Sequence, residues 1–361
     1  MATTQALMKP EPKRAHRHML PTAVLGADCT PDGATLFAAC MDGVYEVAAE
    51  TGAVRKLYGH ESYASGVVYL ASSNRLISAG YDGKLIWYDR AEGKSVKTVD
   101  AHKFWSWQMR LSPDGKRVAS VTGQYLAGGL KYEPAPEKEP SIRVYDSASG
   151  ELTHSFPHVP PVQSVAFSPD SRYVAAGNLM GEVRIYDLQT GKQASRITTD
   201  SFTCWGIIKS HCYIGGVYAL SFSPSGDDLF LAGMGPMTDP MAGNGRQLWQ
   251  RFAWKESPPK KVDETHSGDS GEGLMEALAV HPAGGWFVMS GRLRGGAWNT
   301  ALFGLADGAM LTSLKTDTRV TRATFTTDGK RMLLAGTRRQ PPMKEGKIEP
   351  FGHIDLYDLA S

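Results

Sequence analysis

Residues 59–93 read GHESYASGVVYLASSNRLISAGYDGKLIWYDRAEG, in which short apolar runs alternate with polar turns. The runs lie at residues 67–70, 76–79 and 85–88, and the turns between them contain Ser, Asn, Asp and Gly. Short β-prone runs separated by such residues are typical of antiparallel strands joined by hairpins. The stretch therefore predicts a small antiparallel sheet.

Degenerate copies of this unit recur along the chain. A turn related to Ser-Pro-Asp-Gly marks the first hairpin of each copy, at residues 30–33, 72–74, 112–115, 168–171, 223–226, 281–284 and 326–329. Proline pre-sets φ at the first central position and Asp or Gly suits the following ones, so this tetrapeptide favours a turn. A second anchor, a strand that ends in Tyr-Asp, lies at residues 85–89, 142–146, 183–187 and 354–358. Together the anchors predict seven repeats.

These repeats resemble the WD-repeat family, with Tyr-Asp mostly standing where the family has Trp-Asp. The resemblance extends over residues 14–359 and implies an all-β fold, a seven-bladed β-propeller of four-stranded antiparallel blades around a central channel. In the unit quoted above, the family's buried polar network corresponds to His60, Ser78, Asp82 and Tyr88. The resemblance implies that these residues stiffen the blade and take no part in catalysis.

The two ends of the chain are expected to meet. The last unit stops just after its third strand, whereas residues 12–19 precede the first unit where other units have their outer strand. We expect this N-terminal strand to complete the last blade, which would leave no open edge between the terminal blades. Residues 1–11 are expected to form a flexible tail, and residues 12–361 a single seven-bladed WD-repeat propeller.

Insertions interrupt the repeat at corresponding places. They lie between the second and third strands of the third, fifth, sixth and seventh units (residues 121–140, 233–246, 291–297 and 336–352) and before the fifth and sixth units (200–216 and 263–273). In a four-stranded blade both connections emerge on one side of the disc, the long-loop face, and the Ser-Pro-Asp-Gly hairpins on the other, the tight-turn face. Binding residues concentrate in loops on a rigid scaffold; drift of tolerant surface loops is the alternative.

Eight residues are candidates for partner contacts on the long-loop face: Phe104, Trp105, Met237, Arg292, Arg294, Arg322, Arg338 and Arg339. Exposed aromatic residues anchor interfaces, arginine suits carboxylate or phosphate groups, and methionine makes adaptable apolar contacts. Core packing of at least one aromatic and local pairing of the arginines are the alternatives. Trp107 is expected to point into the blade core.

No catalytic, metal or cofactor site is predicted. Residues 268–271 read GDSG as in serine proteases, but nothing else of that family is present, and a nucleophilic serine needs a positioned base and an oxyanion hole. Cys204, His211 and Cys212 match no closed metal site. Four cysteines in a chain of 361 residues do not form a disulfide framework.

Composition narrows the partner class. The formal charge of +2 is too small to indicate a nucleic-acid surface, and no apolar run approaches the roughly 18 residues of a membrane helix. The N-terminal segment lacks the apolar region of a secretory signal. We therefore expect a soluble, intracellular, cytoplasmic protein with no nucleic-acid or membrane partner.

The first functional hypothesis is a non-catalytic scaffold that binds a protein or peptide partner on the long-loop face. The alternative is a propeller enzyme, either lactonase-like or a metal-dependent hydrolase, with its site at the central channel. That alternative predicts that four side chains converge on the axis, namely His102, His211, Asp263 and Glu276. A structural subunit of a larger assembly is a third hypothesis.

Overall fold

The structure is a computed structural model, and it describes residues 10–128, 131–134, 139–205, 213–239, 244–269, 273–293, 296–344 and 346–360. In these residues seven antiparallel sheets of at least four strands are present, as the repeats predict. None of the described residues belongs to a helix that is both long and apolar enough to cross a membrane. The expected tail at residues 1–11 lies almost wholly outside the described residues and stays a prediction.

The first strand, β1 (Glu11–Leu20), belongs to the last blade, and blades 1 to 4 follow in chain order. Blade 1 contains β2 (Val24–Cys29), β3 (Thr35–Cys40), β4 (Gly43–Ala48) and β5 (Val54–Tyr58). Blade 2 contains β6 (Ala64–Leu70), β7 (Arg75–Gly80), β8 (Lys84–Asp89) and β9 (Lys94–Asp100). Blade 3 contains β10 (Gln108–Leu111), β11 (Arg117–Val121), β14 (Ile142–Asp146) and β15 (Leu152–Phe156), with an extra hairpin of β12 (Tyr125–Gly128) and β13 (Lys131–Pro134). Blade 4 contains β16 (Val162–Phe167), β17 (Tyr173–Asn178), β18 (Glu182–Asp187) and β19 (Lys192–Thr198).

Blades 5 to 7 complete the ring. A short 3-10 helix, Asp200–Phe202, precedes blade 5, which contains β20 (Thr203–Trp205), β21 (Tyr213–Phe222), β22 (Asp228–Asp239), β23 (Asn244–Ala253) and β24 (Lys260–Glu264). Blade 6 contains β25 (Gly273–Val280), β26 (Trp286–Leu293), β27 (Thr300–Gly304) and β28 (Met310–Leu314). Blade 7 contains β29 (Arg319–Phe325), β30 (Arg331–Thr337) and β31 (Gly352–Ala360), with β1 as its outer strand. Blade 5 thus has a fifth strand that the four-stranded prediction did not include.

The innermost strand of each blade is the first strand of its repeat. These strands contact one another in sequence around the axis, from β2 through β6, β10, β16, β21 and β25 to β29, and β29 contacts β2 again. The approach is close, because a Cβ atom added to Gly26 in β2 would lie 2.8 Å from the Cα atom of Gly66 in β6. The inner strands therefore form a closed ring around a narrow channel.

The N-terminal strand closes the ring as predicted. β1 pairs antiparallel with β31 from Glu11 opposite Ala360 to Leu20 opposite Gly352, with one irregularity between Arg14 and His16. Since β31 is otherwise the outer strand of its sheet, this pairing satisfies its free edge. The first and the last strand of the described residues thereby belong to one blade.

The Ser-Pro-Asp-Gly turns have the geometry that the sequence predicts. In blade 3 the Ser112 hydroxyl donates to Asp114 Oδ1 at 2.6 Å, and the same oxygen accepts the backbone N–H of Lys116 at 3.0 Å. Gly115 has a φ of 71°, in the left-handed region that glycine occupies without steric cost. Each residue type of the motif therefore has a role in the turn.

The polar network of blade 2 contains three of the four residues that the resemblance implies. The imidazole of His60 contacts Asp82 Oδ2 through Nδ1 at 3.0 Å and the Ser78 hydroxyl through Nε2 at 2.8 Å. Asp82 also accepts the backbone N–H groups of Glu61 and Lys84, both at 3.0 Å. The ring of Tyr88 instead stacks on Tyr58 with centroids 4.6 Å apart. The network thus links the segment before β6 to strand β7 and to the turn between β7 and β8.

Replacing Asp82 by asparagine is expected to lower the free energy of unfolding by about 1–3 kcal/mol at neutral pH, since a buried charged hydrogen-bond acceptor is lost. Burial alone would raise the pKa of Asp82, but the contacts with His60 and the two backbone N–H groups outweigh it and lower the pKa. The ionised carboxylate therefore stabilises the fold above the ordinary carboxylate range near pH 4, and this contribution is lost as the pH falls. Urea denaturation between pH 3 and 7 would show the difference between variant and wild type shrinking in acid. A constant difference across this range would contradict the assignment.

Candidate partner-binding site at the mouth of the channel

The channel opens on the long-loop face into a cavity of about 790 Å³. Its wall contains residues that directly precede inner strands, such as Tyr63 before β6, and residues that directly follow second strands, such as Tyr81 after β7 and Leu179 after β17. Inner strands begin and second strands end on the face that carries the long loops. The cavity is therefore the mouth of the channel on that face.

One side of this cavity is aromatic. We name as the mouth aromatic cluster the side chains of Tyr63, Tyr81, Phe104, Trp105 and Trp107. Trp105 is stacked between two rings, with its centroid 4.7 Å from that of Tyr81 and 4.9 Å from that of Phe104. Trp107 meets Trp105 edge-on at 5.2 Å. The cluster presents a continuous apolar wall to the cavity.

Hydrogen bonds hold the segment that carries Phe104, Trp105 and Trp107. The Trp107 indole N–H donates to the Gly123 carbonyl at 2.7 Å, and the Thr122 hydroxyl donates to the Trp105 carbonyl at 2.8 Å. The backbone N–H of Ser106 donates to the Gly80 carbonyl at 3.2 Å. The segment is therefore held in place without belonging to a strand.

The expectation that Trp107 points into the blade core is wrong, because its ring lies on the cavity wall and is only partly buried. Trp105 is 40% exposed, so the structure brings both predicted aromatic candidates to the mouth and leaves one of them open to solvent. Tyr63, Tyr81 and Tyr218 also line the cavity but were not among the candidates. Tyr63 directly precedes an inner strand and Tyr81 directly follows a second strand, and this place in the repeat was a signal available in the sequence. Tyr218 lies within the inner strand β21 and had no such signal.

An ion pair also lines the cavity. Arg319 donates through Nε and Nη2 to the two carboxylate oxygens of Glu276, both at 2.5 Å. The Glu276 side chain is 10% exposed and that of Arg319 45%. The hydrogen bonds to Glu276 raise the pKa of Arg319 above its ordinary value. Burial raises the pKa of Tyr81 to about 12. Near neutral pH the mouth therefore combines an aromatic wall with an ion pair whose two charges, on Arg319 and Glu276, balance each other.

The side chains named for the enzyme alternative do not converge in the described part of the chain. His102 is buried inside blade 3, where its Nε2 contacts the Ser120 hydroxyl at 2.8 Å and burial lowers its pKa to about 3. Asp263 lies on the outer strand β24 and contacts His266 at 3.3 Å. Glu276 alone of the three described candidates lines the channel mouth, and His211 lies outside the described residues. No group of three potential metal ligands occurs among the described residues.

The predicted arginines occupy different places. Arg292 is exposed near the end of β26, Arg338 donates to Asp317 Oδ2 at 2.6 Å, and Arg339 is exposed in the loop after β30. Arg294 lies outside the described residues, and Met237 lies in β22, where its backbone is paired with Gly245. These residues stay predictions as partner contacts.

The placement of Arg322 on the long-loop face is wrong. β29 begins at Arg319, so Arg322 lies further along this inner strand and lines a second cavity, together with prolines of the tight turns such as Pro113 and Pro169. Arg322 therefore lies deeper in the channel than the mouth, towards the tight-turn face.

Comparisons with known proteins agree with this architecture. Residues 52–89 and 150–187 match the family described as WD domain, G-beta repeat. The U3 small nucleolar RNA-associated protein 4 homolog of Mus musculus is 27% identical over 178 residues, which cover 49% of this chain and 24% of the relative. The serine-threonine kinase receptor-associated protein of Rattus norvegicus is 25% identical over 207 residues, covering 49% and 57%. The chain thus spans from about a quarter to just over half of the length of these relatives.

Proposed function

Because this chain belongs to the WD-repeat β-propellers, we propose that it is a non-catalytic scaffold that binds a protein or peptide partner at the channel mouth on the long-loop face. The observation that carries the proposal is the mouth aromatic cluster, with Trp105 stacked between two rings and still 40% exposed. Exposed tryptophan and tyrosine on a rigid surface are the residues that most often anchor interfaces.

Rigidity supports this proposal. The segment that carries Trp105 is fixed by hydrogen bonds to Thr122 and Gly80, and the cavity wall is built on the ends of strands. A preorganised surface loses little conformational entropy when it binds. The mouth can therefore accept a side chain without rearranging first.

The chemistry of the cavity favours binding over catalysis. A general base must be free to take a proton, whereas both carboxylate oxygens of Glu276 accept hydrogen bonds from Arg319. An aromatic wall beside a neutralised ion pair suits a peptide segment with an apolar or aromatic side chain. The names of both relatives describe association, one with a small nucleolar RNA and one with a kinase receptor. For this chain we favour a protein, because the mouth combines aromatic surface with paired rather than free cations.

Replacing Trp105 by alanine is expected to weaken partner binding by at least about tenfold, as for a hot-spot residue. Affinity enrichment from the native cell extract with quantitative mass spectrometry would compare wild type, Trp105→Ala and Val96→Ala. Val96, on the outer strand β9, is also 40% exposed and serves as the matched control.

Proteins enriched by wild type and Val96→Ala but lost with Trp105→Ala would support a partner at the mouth. Equal enrichment by all three would contradict it, provided that circular dichroism shows all three folded. Enrichment that disappears after nuclease treatment would instead indicate an RNA partner and also contradict the proposal.

The cytoplasmic location expected from the sequence is part of the same proposal. The word nucleolar in the name of the Mus musculus relative concerns that protein. Imaging of a fluorescent fusion would distinguish a cytoplasmic from a nucleolar location, and a nucleolar signal would contradict the expectation.

A further inference from the structure

The channel holds a second cavity, of about 540 Å³, towards the tight-turn face. Apolar side chains of the inner strands, among them Leu111, Phe167 and Leu220, form much of its wall. Two arginines, Arg110 in β10 and Arg322 in β29, also line it. Both arginines line a small neighbouring cavity of about 40 Å³ as well, so they lie on the same part of the channel wall.

These arginines have few hydrogen-bond partners among the described residues. Arg110 donates through Nη1 to the backbone carbonyl of Met109 at 2.8 Å. The guanidinium of Arg322 forms no hydrogen bond or close ion pair with any described residue. A guanidinium has five N–H donors and does not lose its charge in proteins. The second cavity thus contains two guanidinium groups, most of whose N–H donors have no partner among the described residues.

The negative charge nearby is insufficient to balance them. Asp28 is attracted to both arginines, but its Oδ2 accepts the backbone N–H of Tyr69 at 2.8 Å, and burial raises the pKa of the carboxyl group. The thiol of Cys29 cannot supply a second charge, because burial raises its pKa to about 12. Two guanidinium groups therefore share a single carboxylate.

This arrangement of charges is electrostatically unfavourable. Burial and mutual repulsion lower the pKa of Arg110, and burial lowers that of Arg322. Two half-buried cations that share one carboxylate repel each other, and a fork of N–H donors matches the oxygens of carboxylate and phosphate. An anion between the two side chains would remove the repulsion and satisfy the free donors.

We propose that Arg110 and Arg322 form a binding site for a small oxyanion, a phosphate or a carboxylate, that enters from the tight-turn face. The site lies deeper in the channel than the mouth aromatic cluster, of which only Trp107 lines the small cavity beside it. The proposal does not rest on the proposed partner binding. Asp28 limits the net positive charge of the site and so lowers its affinity.

The test is calorimetric titration of the full chain with two probes, inorganic phosphate and benzoate, at constant ionic strength. Benzoate carries an apolar ring that can contact the wall, so its comparison with phosphate distinguishes an organic carboxylate from an inorganic anion. Arg322→Met is expected to weaken binding of the preferred probe by at least about tenfold. Arg339→Met, which removes an exposed arginine on the other face, is the matched control and should bind as wild type does.

Asp28→Asn provides a second variant in case Arg322→Met does not fold, since asparagine can still accept the N–H of Tyr69. Removal of the competing carboxylate should strengthen anion binding. No binding of either probe by wild type, equal affinity in Arg322→Met and Arg339→Met, or weaker binding in Asp28→Asn would each overturn the site.

Discussion

Replacing Arg17 by alanine is expected to lower the free energy of unfolding by about 3–5 kcal/mol, the typical cost of removing one partner from a buried ion pair. Arg17 lies on β1 opposite Asp355 on β31 and donates to both of its carboxylate oxygens at 2.6 Å. It also donates to Asp317 at 2.8 and 3.0 Å. The Asp355 side chain is only 1% exposed, so the substitution leaves a buried carboxylate without its main partner across the closure of the ring.

The matched control is Arg14→Ala on the same strand. Arg14 lies 3.9 Å from Asp355 and its side chain is 47% exposed, so its loss should change the free energy of unfolding by about 1 kcal/mol or less. Urea denaturation followed by far-ultraviolet circular dichroism measures both variants. Similar losses in the two would show that the closure does not depend on the Arg17–Asp355 pair.

Replacing Trp87 by alanine is expected to cost about 3–5 kcal/mol, the range for large aromatic residues in a protein core. Trp87 on β8 is 1% exposed and packs in a cluster that contains Ile77 of blade 2 and Val118 of blade 3. Its indole N–H donates to the carbonyl of Ser147, which follows the third strand of blade 3, at 2.7 Å. The substitution opens a cavity between two blades and leaves a buried carbonyl without its donor.

Trp105→Ala is the control for this substitution because it removes the same side chain from an exposed position. Loss of its stacking contacts with Tyr81 and Phe104 is expected to lower the free energy of unfolding by about 1 kcal/mol. The same denaturation experiment would contradict the interblade role of Trp87 if both tryptophan variants lost equal stability. A small loss in Trp105→Ala also ensures that its effect on partner binding is not caused by unfolding.

The propeller could be predicted from the sequence because its determinants are local and repeated. In the Ser-Pro-Asp-Gly turn of blade 3, proline sets φ, Asp114 accepts a following N–H, and Gly115 adopts a positive φ. Closure by β1 followed from the missing fourth strand of the last repeat. The aromatic candidates Phe104 and Trp105 could be placed at the mouth because the segment before an inner strand always emerges on the same face.

Features that depend on depth along the channel could not be predicted in this way. A strand rises about 3.3 Å per residue, so the three positions from Arg319 to Arg322 span about 10 Å. A small error in the predicted start of β29 therefore placed Arg322 at the mouth, whereas it lines the second cavity. The orientation of Trp107 was missed for a related reason, because its residue lies before β10 and does not follow the alternation of the strand.

The most direct test of partner binding at the mouth is site-specific photo-cross-linking in the native cell. A benzophenone amino acid would replace Trp105 in one variant and the equally exposed Val96 in another. The proposal predicts a discrete protein adduct at position 105, competed by untagged wild type, and none at position 96. Adducts at position 96 alone, or the same adducts at both positions, would contradict a partner at the channel mouth.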